Sequence, residues 1–319
     1  MIMLLVLPVL LPFAAPLFAR RLVGRLEPNA ALWLLTAATV ALGGSTVAAL
    51  AGLVLTGALR LPVVARLGRM IHPMATGPVY VLVPVAALAV AALLLCAGTA
   101  VRTVRRERRS LGAAHAEADR ARTAEGLSVV ADERVDAYAL PGRAGGPGRV
   151  VVTEGMLGCL GTRERAALVA HERAHLAGRH HLFLAAAELS AHCHPGLRSV
   201  RQDVALAVER AADEAAARAT GDRRLTALAI GRAALAAHAA PARRPSVLPS
   251  ATAGPVPQRV AALLKGPVSG ARRPVAAAFA LLLLCAGISS SSTLAGAVDL
   301  HSGVEVAQGE SGPHHQLPR

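Results

Sequence analysis

Residues Ala30 to Leu59 read AALWLLTAATVALGGSTVAALAGLVLTGAL, thirty positions without one Asp, Glu, Lys or Arg. A bilayer core demands roughly 20 consecutive apolar residues in a helix, because hydrocarbon cannot solvate charge. This stretch exceeds that length, and its character recurs three times. Met1 to Phe18, Pro73 to Val101 and Pro274 to Val298 are also free of charge. The 319-residue chain is accordingly 54% hydrophobic, with a mean hydropathy of +0.47. That is too apolar for an ordinary soluble domain and far too apolar for a disordered one.

These stretches predict a mainly α, multi-pass membrane protein with four transmembrane helices, at about 1–18, 30–59, 74–101 and 274–298. Pro8, Pro12 and Pro16 interrupt the first. It reads as a retained helix rather than a cleaved signal peptide, since its basic residues, Arg20 and Arg21, follow the apolar run. By the positive-inside rule, Arg20, Arg21 and Arg25 face the cytoplasm, as do Arg102, Arg105, Arg106, Arg108 and Arg109 after the third helix. Lys265, Arg272 and Arg273 precede the fourth helix on the same side. Arg60, Arg66 and Arg69 fall in an outer loop and run against the rule. The expected location is the plasma membrane, with residues 102–273 forming a cytoplasmic α+β domain and 299–319 a short external tail. A Pro/Ala-rich linker spans about 240–257.

The formal charge of +14 invites a nucleic-acid reading. Aromatics are only 2%, too few for a stacking platform, and the densest Arg cluster sits beside a membrane helix. The lipid bilayer is the expected partner; direct nucleic-acid binding is not expected. The four cysteines form no CxxC pair and no disulfide framework.

The chemistry lies in the 102–273 domain. From Thr162 the chain reads TRERAALVAHERAHLAG, ending at Gly178. Thr162 can cap this helix, Glu164 suits its first turn, and Gly178 can end it. His171 and His175 then lie one turn apart on one face, with Glu172 beside them. Two imidazoles at this spacing can hold one zinc ion while the carboxylate serves as base. With 12 His and 13 Glu in the chain, chance supplies about 0.02 such HExxH motifs, so a fortuitous match is a weak competitor. Downstream, Glu209 and Asp213 also lie one turn apart on a helical stretch. Glu209 is the candidate third ligand, and Asp213 the candidate partner of a ligand histidine. Read alone, this pair would be an ordinary acidic face paired with Arg210 or Arg218. His180 and His181 either line the cleft or are solvated residues at a helix end. His192, Cys193 and His194 resemble a metal cluster, but adjacent residues rarely converge on one ion. Residues 134–140 and 149–153 flank a Gly-rich turn and predict a β-hairpin whose edge could align an extended peptide.

Taken together, VVVTEGML from Val150, HERAH from His171 with Arg179-His180-His181, and ERAAD from Glu209 resemble the membrane metallopeptidases of the BlaR/MecR type. That resemblance implies a gluzincin fold, zinc ligands His171, His175 and Glu209, the catalytic base Glu172 and a supporting Asp213. It implies site-specific proteolysis in signal transduction, of the peptidase itself or of a winged-helix repressor. The best-known members carry a penicillin-binding sensor domain after the last helix; residues 299–319 are too few to form one. CAAX-protease and HtpX-like membrane gluzincins share the same HExxH and ExxxD logic and give the nearest alternative. A non-catalytic membrane signalling scaffold is the alternative outside the enzymes. It predicts a closed structural zinc site, completed by Cys159 or Cys193.

Overall fold

A computed structural model describes residues 2–59, 79–124, 126–143, 146–237, 255–266 and 273–308. Of the described residues 81% are helical, and the strands form one small mixed sheet. The expected outer loop with Arg60, Arg66 and Arg69 lies outside the described residues, as do most of the 240–257 linker and most of the tail.

The first apolar segment is not a straight helix. Helix α1 (Ile2–Leu10) passes through a 3₁₀ turn at Leu11–Phe13 into α2 (Ala15–Val23), and the two halves are bent by 43°. Prolines at the starts of the turn and of α2 cause the break, because each removes a backbone donor. Helix α3 (Pro28–Ala58) begins where Pro28 supplies a preset φ and the Glu27 side chain accepts from the Ala30 amide. Helix α4 (Val79–Arg120) runs without interruption far past its apolar part and carries the Arg cluster on its extension. By length and composition α3 and α4 can cross a membrane, and the bent pair makes a third span if counted as one. The fourth expected span lies in α11 (Arg273–Gln308). Within it the charge-free residues 274–298 run unbroken, and Ala280–Gly296 is the apolar stretch found among the described residues. Among the described residues two to three apolar helices are long enough to cross a membrane, and they point to membrane association.

After α4 the chain forms β1 (Arg122–Ala124), β2 (Leu127–Val130), β3 (Ala137–Leu140) and β4 (Arg149–Thr153), ordered β1-β2-β4-β3. The expected hairpin is present as the antiparallel β3–β4 pair, with Tyr138 opposite Val151. Strand β2 joins β4 in parallel, a pairing the hairpin reading did not contain. Side-chain alternation divides the sheet between two packed layers. Val151, Tyr138 and Leu140 meet Ala114 and Ala118 of α4. Val150, Val152 and Ala137 meet Met156 and Leu168 on the other side. His115 fastens α4 to the sheet: its ring nitrogens contact the Leu111 and Pro141 carbonyls.

Helices α5 (Glu154–Gly158), α6 (Thr162–Ala177), α7 (His180–Cys193), α8 (Leu197–Thr220), α9 (Arg223–Ala237) and α10 (Val256–Lys265) complete the region. The largest buried cluster crosses the expected domain boundary. Leu22 of α2, Leu35 and Leu42 of α3, Ala187 of α7, and Leu197 and Val204 of α8 pack as one core. Helices α7 and α8 therefore rest directly on the apolar helices.

Candidate metal centre

Helix α6 buries its polar residues. His171, Glu172 and His175 are each at most 1% exposed, beside the apolar Ala167 and Leu168. Its start differs by one residue from the sequence expectation. Gly161, not Thr162, is the N-cap; Glu164 reaches back to accept from the Gly161 amide at 2.9 Å and also pairs with Arg232. These contacts hold the Glu164 carboxyl below its usual range, the Gly161 amide foremost. Gly178 ends the helix, as expected. Arg179 then adopts a left-handed φ of 49°, a conformation costly for a residue with a side chain, and reverses the chain into α7.

That reversal carries His180 back onto the site. The His180 and His175 Nδ1 atoms are 2.8 Å apart, so one N–H is shared between them. A Cβ at Gly178 would sit 2.4 Å from the His180 ring, so only glycine there admits the approach. His180 is buried and is not the solvated helix-end residue that its position suggested. Burial, with His171 and His181 nearby, lowers its pKa to about 4, so the ring is neutral at pH 7. His181 is half-buried next to His180; burial, then Arg179, lowers its pKa.

Helix α8 supplies the carboxylates. Glu209 and Asp213 are 2% exposed, one turn apart, and face α6. The two ligand-type imidazoles point their Nε2 atoms at each other across 3.0 Å. Glu209 closes the third side, with Oε2 3.5 Å from the His171 Nε2 and Oε1 3.8 Å from the His175 Nε2. The outer nitrogens are also occupied: His171 Nδ1 lies 3.0 Å from Asp213 Oδ1, and His175 Nδ1 faces His180. Two Nε2 atoms and one carboxylate oxygen converging, each imidazole held from behind, is a donor set that fits a divalent metal such as zinc. Among the described residues this is the one group of three or more His, Cys, Asp or Glu able to hold an ion.

Electrostatics follow from burial. Without metal, burial disfavours a charged His171, but Asp213 and Glu209 prevail and raise its pKa to about 9. His175 goes well down, through burial and then the charge of His171. Burial would raise Asp213, yet Arg259 and His171 hold it at about 2.

Arg259 is the residue that sequence reasoning missed. It lies on α10, is 0% exposed, and sends its Nε and Nη2 to Asp213 at 2.9 and 2.7 Å and its Nη1 to Glu209 at 3.0 Å. The available signal was helical: prolines at 255 and 257 followed by apolar positions 260, 263 and 264 mark a new helix. The remaining cysteine and histidine candidates lie elsewhere. Cys159 is exposed, and Cys193 Sγ contacts the Leu189 carbonyl. His192 meets Thr103 and His194 the Val9 carbonyl.

No curated protein and no solved structure gives a significant match to the chain. Residues 102–194 match the sequence model of peptidase family M48. The matched segment runs from the extension of α4 through the sheet, α6 and α7. It includes His171, Glu172 and His175 and ends before Glu209, Asp213 and Arg259. The match supports a metallopeptidase and does not extend to the BlaR/MecR type.

Proposed function

We propose that the protein is a membrane zinc endopeptidase in which His171, His175 and Glu209 hold the ion and Glu172 is the catalytic base. The observation that carries this reading is the convergence of two Nε2 atoms and a carboxylate next to Glu172, with both histidines inside the M48-matched segment. Bound there, zinc would supply Lewis acidity toward water and the scissile carbonyl.

The chain's own residues do the rest. Glu172, buried next to His171, takes the proton of the attacking water and delivers it to the departing amine. Asp213 and His180 fix the tautomers of His171 and His175, so that both Nε2 lone pairs face inward. Strand β3 is a sheet edge packed against α6, all four of its residues buried. Burial of the cluster keeps bulk water from competing with these contacts.

The physiological reading is site-specific proteolysis in signalling, with the peptidase region facing the cytoplasm of a plasma-membrane protein. The substrate is the chain itself or a cytoplasmic repressor. Exposed Arg105, Arg106, Arg108 and Arg109, directly after the apolar part of α4, support that orientation. The test compares amino termini in cells carrying wild-type protein and Glu172→Gln, which keeps the ligands. New termini confined to the wild type, in one regulator or in this chain, are expected. Many unrelated termini would favour the HtpX-like quality-control alternative, and identical termini in both strains would reject the assignment of Glu172.

A further inference from the structure

We propose that Arg259 is the positioning residue of the metal centre, and that α10 must be seated for the centre to hold its ion. The inference rests on the zinc reading above and adds to it a part lying outside the M48-matched segment.

Three carboxylates, Glu172, Glu209 and Asp213, are buried together. Burying such charges is costly unless they are paired. Arg259 is a fully buried cation in direct contact with two of them. Its fork clamps both oxygens of Asp213, which fixes the oxygen lying 3.0 Å from His171 Nδ1. The same guanidinium holds Glu209 Oε2, which leaves Oε1 toward His175. One side chain thus sets the aim of a ligand imidazole and the rotation of a ligand carboxylate, without being a ligand itself.

Lysine cannot take this role. An ammonium is a point charge and lacks the planar fork that bridges Asp213 and Glu209 simultaneously. The seat of α10 is a small one. Leu263 packs with Ala217, Ala227 and Ile230, and Arg223, itself paired to Glu214, donates to the Leu263 carbonyl. Only residues 267–272 separate this helix from α11 and its apolar run.

The test uses the full chain purified in detergent, with zinc affinity read by competition against a chromophoric chelator and ligand geometry read from cobalt absorption. Arg259→Lys and Arg259→Met should each bind zinc at least about tenfold more weakly, within the 10–100-fold range seen when partners of metal ligands are removed. Their cobalt bands should weaken or shift. Arg259→Lys carries the test if Arg259→Met does not fold. Arg259→Lys combined with Asp213→Asn should be little worse than either alone, because both cut one chain of contacts. Affinity within about threefold of wild type and an unchanged cobalt spectrum in Arg259→Lys would overturn the role of Arg259 alone. A wild-type chain that takes up no zinc would overturn the metal reading and this inference together.

Discussion

His180 should be worth between ten- and a hundredfold in metal affinity although it is not proposed as a ligand. Its Nδ1 lies 2.8 Å from the His175 Nδ1, and His175 is 1% exposed, so in the intact chain His180 rather than solvent partners that nitrogen. A buried donor left without its acceptor costs about 1–3 kcal/mol. Partners of metal-ligating histidines are worth 10–100-fold, or about 1.4–2.8 kcal/mol, an independent route to the same magnitude. With its pKa lowered to about 4, His180 is neutral at pH 7 and able to accept the His175 N–H. His180→Ala should therefore weaken zinc binding by that amount, measured by chelator competition on the full chain. His180→Asn, which can place an amide oxygen near the Nδ1 position, should recover most of it. Equal affinities for wild type and His180→Ala, in a protein with an unchanged unfolding transition, would refute the reasoning. So would an Asn variant no better than Ala.

Glu164→Gln should alter the acid limb of stability. The folded-state pKa of Glu164 lies below its ordinary 4.5, so its contribution is complete above that pH and is lost as pH falls through the folded value. Because Arg232 is half exposed, the charge is worth about 0.5–1 kcal/mol at neutral pH. The variant's unfolding curve should converge on wild type below pH 4.5; parallel curves would contradict the assignment. Gly155→Ala should destabilise by about 2–4 kcal/mol, from overpacking and the loss of the hydrogen bond that its N–H donates to the Asp132 carbonyl. An added Cβ would meet the Glu133 carbonyl oxygen at 2.0 Å, and chemical denaturation checks the effect.

The parts of the site that could be read in sequence are those set by helical periodicity. His171 and His175 at four-residue spacing, and Glu209 and Asp213 likewise, must each share a face, and the fold turns those faces toward each other. The cap was misplaced by one residue because a Thr before a helix attracts the assignment, whereas here the Glu164 carboxylate reaches back to the Gly161 amide. Strands β1 and β2 escaped notice: they are three and four residues long and follow a 42-residue helix without a strong turn signal before them. Arg259 gave no chemical signal, since one arginine in a chain with 34 basic residues is anonymous until its burial is known. The shared core was hidden for a different reason. A charge-free helix reads the same whether it faces lipid or protein, and α3 buries 44% of its most apolar window inside the protein.

That shared core bears on how the enzyme can be handled. A fragment begun at residue 102 would strip α8 of Leu22, Leu35 and Leu42, leaving the helix that carries Glu209 with a bare apolar flank. The excised piece would expose that flank and be prone to aggregate, and reconstitution would require the intact amino-terminal third.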